Sequence, residues 1–161
     1  MRIICNLATA AAMMLSIVPA VAFSDADKRD CEQMTKPVTK VTACTRILGD
    51  AKLTKEMRVF AIHHRGVGLL LQHKLDDAIV EFNEALRLDP TFVRSYNSRG
   101  NAWRGKGEID NAIADYNEAI RIDPNFAFPY NGRAAAFDDK GPEAARRAGD
   151  EPCLHDDYSF T

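Results

Sequence analysis

The sequence predicts an all-α fold, a solenoid of antiparallel helix hairpins, on three observations. Residues 59–90 read VFAIHHRGVGLLLQHKLDDAIVEFNEALRLDP, and residues 93–124 read VRSYNSRGNAWRGKGEIDNAIADYNEAIRIDP, the same phrase at a period of 34. Twelve of the 32 aligned positions are identical, including Arg65/Arg99, Gly66/Gly100, Ala78/Ala112, Ala85/Ala119 and Pro90/Pro124. A fixed period of this length marks one supersecondary unit stacked on copies of itself, each burying its neighbour's apolar face. The sets Ala78, Ile79, Phe82, Ala85, Leu86 and Ala112, Ile113, Tyr116, Ala119, Ile120 carry helical periodicity. Asp89-Pro90 and Asp123-Pro124 then stop each second helix, because the residue before proline is pushed out of the helical region.

Taken in order, residues 1–22 differ in kind from the rest. Arg2 is the only charge before Asp25, an apolar stretch runs from Ala8 to Val18, and Pro19-Ala20-Val21-Ala22 offers a small-x-small cleavage site. This reads as a secretory signal peptide removed after Ala22, an uncleaved anchor being the alternative. Residues 23–54 read as a divergent hairpin, with helices near 25–34 and 38–49 about a turn at Lys36-Pro37 and an apolar set of Met34, Val41, Ile47 and Leu48. Cys31 and Cys44 flank that turn. In an oxidising compartment they read as a disulfide, two buried thiols being the alternative. Residues 55–124 hold the two full repeat units, in which Thr91 and Asn125 stand where N-caps of the following helices belong. Residues 125–141 supply the first helix of a third unit. Residues 142–161 lose the pattern: Pro142 could open and Gly149 close a helix of two turns, and the remainder reads as a tail, leaving Tyr130, Ala134 and Phe137 incompletely covered.

The repeat resembles the tetratricopeptide (TPR) family, whose marks are a large residue, Gly, an aromatic, Ala, an aromatic, Ala and Pro. Tyr96, Gly100, Trp103, Ala112, Tyr116, Ala119 and Pro124 supply them in one unit; Ile62, Gly66, Leu69, Ala78, Phe82, Ala85 and Pro90 supply them in the unit before. Tyr130, Arg133, Ala134 and Phe137 begin a third. The resemblance covers residues 59 to about 141. It implies a right-handed, TPR-like solenoid whose first helices line a concave groove, and a cysteine pair ahead of such repeats resembles exported bacterial TPR proteins.

The groove positions implied by the resemblance hold Phe60, His63, Val67 and Leu70 in the first unit, Arg94, Asn97, Asn101 and Arg104 in the second, and Phe128, Asn131, Ala135 and Asp138 in the third. Asn97 and Asn101 suit the backbone of an extended peptide, with an arginine on either side for a carboxylate; the alternative is a merely solvated polar face. Some family members hold a C-terminal carboxylate with a clamp of Lys, Asn and Arg. Here His63, Val67, Phe128 and Gly132 stand at clamp positions, so that ligand is not expected. Arg65, Arg99 and Arg133 recur at the period and could pass for an anion ladder. The reading adopted is structural: their stems pack between helices and their heads pair with Glu81, Asp115, Glu84 or Glu118, so that Arg99→Leu should leave stability nearly intact or raise it.

A formal charge of −2 leaves no basic footprint for nucleic acid. His63 and His64, adjacent on a helix, point about 100° apart and share an ion poorly, and Cys153, His155, Asp156 and Asp157 lie on the tail. No nucleophile elbow, phosphate loop or zinc-protease motif is present; Gly105-Lys106-Gly107 reads as a helix-to-helix turn. The expectation is therefore a periplasmic adaptor that is not an enzyme. It has no cofactor, no metal and no membrane span in the mature chain, and it binds a protein or peptide in its groove. Self-assembly through the incompletely capped third repeat, or service as a regulatory subunit of an envelope complex, is the alternative.

Overall fold

The computed structural model describes residues 24–33 and 36–141. The signal-peptide reading, Met34, the Pro142–Gly149 helix and the Cys153 cluster fall outside them. Among the described residues there are seven helices and no strand: α1 (Asp25–Glu32), α2 (Pro37–Leu48), α3 (Lys55–Leu71), α4 (Leu75–Leu88), α5 (Val93–Gly105), α6 (Ile109–Ile122) and α7 (Phe128–Lys140). Each packs on the next in the chain. The odd-numbered helices also touch one another in succession, whereas α2, α4 and α6 do not. The odd helices therefore form the inner layer of a solenoid of hairpins. No described helix is long and apolar enough to cross a membrane.

Local chemistry sets the boundaries. Ser24 caps α1 reciprocally with Asp27, and Pro37 occupies the first turn of α2, where a missing N–H costs nothing. Thr54 caps α3 by accepting the Met57 amide at 3.3 Å. Asp89 and Asp123, ahead of their prolines, turn extended and end α4 and α6. Thr91 and Asn125 are not the N-caps expected of them. Their backbone N–H groups donate to Oδ1 of Asp89 (2.9 Å) and Asp123 (3.0 Å), and the helices begin after Phe92 and Ala127 instead. An aspartate two residues upstream offers the nearer acceptor, and the turn it closes displaces the cap.

The turns within the two full hairpins are superposable in kind. After α3 the Lys74 amide reaches back to Leu69 O and His73 to Leu70 O; after α5 Glu108 reaches Trp103 O and Gly107 reaches Arg104 O. This C-terminal closure needs a left-handed residue, which is Gly107 (φ 80°) in one unit and His73 (φ 58°) in the other.

Where the hairpin helices cross, glycine faces a ring. A Cβ on Gly66 would lie 2.7 Å from Phe82 Cε1, and one on Gly100 would lie 2.7 Å from Tyr116 Cε1. Phe82 and Tyr116 are fully buried, and Trp103 packs against the clusters of both flanking hairpins. In the first hairpin the same crossing brings Cys31 and Cys44 together, Cα to Cα 5.0 Å, among Ala43, Ile47 and Ala61.

The recurring arginines tie the hairpins. Arg65 Nη2 donates to Glu81 (2.8 Å), and Arg99 grips Asp115 through Nε (2.8 Å) and Nη2 (2.6 Å) while its Nη1 reaches Asn83 of the preceding hairpin at 2.6 Å. Arg133 Nη1 reaches Asn117 at 2.8 Å. Glu84 and Glu118, the other expected partners, pair instead with Arg87 and Arg121 of their own helices. The ladder is internal, as a structural role requires. A second staple recurs at the period, Lys106 to Asp76 and Lys140 to Asp110, from one unit to the one before.

Candidate functional site

The inner layer carries the residues expected to line a groove, and they differ sharply in what they have left to offer. On α5, Arg94 is exposed and makes no ion pair among the described residues. Asn97 is half-buried one turn on. Asn101 is exposed, but its Oδ1 already accepts the Tyr116 hydroxyl at 2.7 Å. That bond anchors the phenol, whose titration burial raises to about 12. Both Asn101 amide donors and one lone pair of its oxygen remain for a ligand. Arg104 is held loosely, 3.5 Å from Asp139 of α7. Asn131 is exposed on α7, as is Phe128, at 67%.

The α3 contribution departs from the groove expected. His63 is only 4% exposed. Its Nδ1 lies 3.0 Å from Ser95 Oγ, and its ring sits between those of Phe82 and Phe92. The small Ser95 opens a space in α5 that the imidazole fills, so His63 is an interior side chain and not a ligand contact. Burial lowers its pKa to about 3, leaving it neutral. Phe60 is half-buried, packed on the cysteine cluster with its ring 4.3 Å from that of His64. Val67 and Leu70 are half-buried against Ala78, Ile79 and Phe82. This end of the layer is apolar, and the α5 portion is basic and amide-rich.

One polar centre was not legible in the sequence. Lys40 of α2 is fully buried. Its ammonium nitrogen lies within hydrogen-bond reach of the carbonyls of Cys31, Glu32 (3.1 Å) and Gln33 (3.2 Å), the C-terminal end of α1, and of His64 Nδ1 at 3.2 Å, four acceptors sharing three N–H groups. A lysine at a helix C-terminus satisfies orphan carbonyls and complements the dipole. Burial lowers Lys40 to about 8, and burial together with the Lys40 charge lowers His64 to about 4. A neutral His64 accepting from Lys40 fits both. No spacing signal marks a lysine that folds inward in this way. Among the described residues no group of three or more His, Cys, Asp or Glu could hold a metal ion.

A cleft of about 260 Å³ opens beside this row, lined by Thr91, Phe92, Val93, Arg94, Asp123 and Phe126. It lies between the two loops that precede α5 and α7. Phe92 and Phe126 are one period apart, a repetition that could have drawn notice to them.

Residues 100–141 match the family model for the TPR repeat. No curated protein sequence matches the chain. Among solved structures the fold is similar to that of MamA, with TM-score 0.58 and 22% identity over 69% of this chain. The chain spans 63% of that MamA chain. It is similar also to the second TPR domain of human RPAP3 in complex with the HSP70 peptide SGPTIEEVD, with TM-score 0.60, 17% identity, and coverage of 73% of this chain and 93% of that one. The first TPR of Spaghetti (RPAP3) bound to the HSP90 peptide SRMEEVD gives TM-score 0.61 and 17% identity over 73% of this chain and 89% of that one. The architecture is thus that of a TPR solenoid.

Proposed function

We propose that this chain is an exported member of the TPR family that acts as an adaptor, holding an extended protein or peptide segment along the inner layer formed by α3, α5 and α7. The observation that carries this is the α5 row: Arg94, Asn97, Asn101 and Arg104 follow one another at helical spacing on the layer's face, and none is consumed by a strong ion pair. Arg99, on the neighbouring face of the same helix, is by contrast locked to Asp115. The division separates side chains that hold the fold from side chains left for a partner. The two similar RPAP3 structures are peptide complexes, which supports a peptide as this chain's partner.

The amides would bond the partner's backbone, and Arg94 and Arg104 its acidic groups, on helices whose rigidity keeps the ordering cost low. Export rests on the leader read at residues 1–22 and on the Cys31–Cys44 approach. A bridge there would brace the first hairpin in an oxidising compartment, worth about 3 kcal/mol for a loop of this size.

The test is a cross-linked pull-down from cell-envelope extract with the full chain beside its Arg94→Ala/Asn97→Ala/Asn101→Ala variant. A partner captured by the first and lost by the second, with unchanged circular dichroism, supports the adaptor. Equal capture by both removes the α5 row from the account.

A further inference from the structure

We propose that the cleft between the loops preceding α5 and α7 is the anchoring subsite of this groove. It would take one apolar side chain of an extended peptide, with the carboxylate of an adjacent acidic residue held by Arg94. The inference rests on the groove reading above and adds a chemical class of partner to it. Three observations converge. At about 260 Å³ the cleft is smaller than the pockets that enclose drug-sized ligands, and it suits a single side chain. Its walls are Phe92, Val93 and Phe126, with the exposed Phe128 ring 5.3 Å from Phe126 extending the apolar surface outward. At its lip stands Arg94, exposed and without an ion-pair partner among the described residues.

Asp123 also lines the cleft and bears on the charge of the occupant. One of its oxygens accepts the Asn125 backbone amide at 3.0 Å. The other is an acceptor for the peptide's own N–H, which is what an extended backbone presents next to its side chain. A cation would be drawn to Asp123 but repelled by Arg94, and a wholly apolar strand would leave the guanidinium unused. An apolar residue beside an acidic one satisfies the aromatic wall, the donor and the acceptor together. The period adds to the argument: Phe60, Arg94 and Phe128 are equivalent positions in successive units, and of the three only Arg94, the one that lines the cleft, is charged.

The experiment pans a random heptapeptide phage library against the full chain, its Arg94→Gln variant and its Phe126→Ala variant, each first checked for native helicity. The expected consensus on the full chain pairs an aliphatic or aromatic residue with a neighbouring Asp or Glu. Arg94→Gln should lose the acidic preference and bind the consensus peptide about tenfold or more weakly, the scale of a lost charge-assisted bond. Phe126→Ala should lose the apolar preference instead. A consensus unchanged on both variants, but lost on Asn97→Ala/Asn101→Ala, would overturn the subsite and leave the groove standing. No enrichment on the full chain would overturn both.

Discussion

Replacing Arg99 by leucine removes both bonds to Asp115 and leaves a carboxylate that is almost fully enclosed. The Asp115 side chain is 8% exposed and that of Arg99 21%, and the pair is bidentate at 2.8 and 2.6 Å. Breaking a buried pair from one side strands the other charge, and the cost runs to about 3 kcal/mol at the lower end of the measured range. The lower end applies because the guanidinium still touches solvent. In a domain of this size that is a fall in Tm of roughly 10 °C. Burial already holds the Asp115 carboxyl above its ordinary range, against the pull of Arg99, so in the variant it should protonate more readily and the deficit should shrink in acid. The double variant Arg99→Leu/Asp115→Leu removes the stranded charge and should return to within about 1 kcal/mol of the parent. Urea unfolding of the four members of the cycle measures this. A single variant within 0.5 kcal/mol of the parent (about the noise of such cycles), the outcome the sequence alone leads one to expect, would refute the reasoning. So would a double variant as unstable as the single.

Gly100→Ala should destabilise by about 1–2 kcal/mol, because Gly100 and Gly132 hem Tyr116 from both sides and the ring cannot yield; thermal unfolding checks it, and a gain from helix propensity alone would contradict it. His73→Gly should stabilise by about 0.5–1 kcal/mol in chemical denaturation, since it gives the left-handed turn after α3 the residue its counterpart already has. Acid should weaken the fold through His63 and His64. Their folded values, about 3 and about 4, lie below the ordinary 6.5, so the unfolded chain binds protons first. The histidines' contribution is full above pH 6.5, declines as pH falls from there, and for His64 the decline is complete near pH 4, a loss on the order of 3 kcal/mol. Tm measured from pH 7.5 to 4.5 should fall, and His64→Gln should flatten the profile.

The hairpin architecture could be read from the sequence because each unit states its own geometry twice: Gly100 against Tyr116, Ala112 and Ala119 in the interior, Asp-Pro at the stop. What escaped were features decided by partners far along the chain. Nothing near Lys40 says that its ammonium will end on the carbonyls of α1, or that His64 from the next hairpin will meet it. His63 and Asn101 occupy groove positions by count, yet Ser95 draws one inward and the Tyr116 hydroxyl claims an oxygen of the other. Counting positions gives the helix face; burial and hydrogen bonds decide which side chains on it remain available. Thr91 and Asn125 depart from the capping expected of them for a related reason. The upstream aspartates compete for the same backbone, and a residue type suited to capping also suits the turn that prevents it.

The inner layer is the proposed working surface. A photo-crosslinking residue placed at Asn97, on that layer, and in a second variant at Val80, 64% exposed on α4 of the outer layer, tests this in cells expressing the full chain. Covalent capture of one partner from position 97 and none from position 80 is the result predicted. Capture from position 80 with none from 97 would contradict it and move the binding surface to the outer helices.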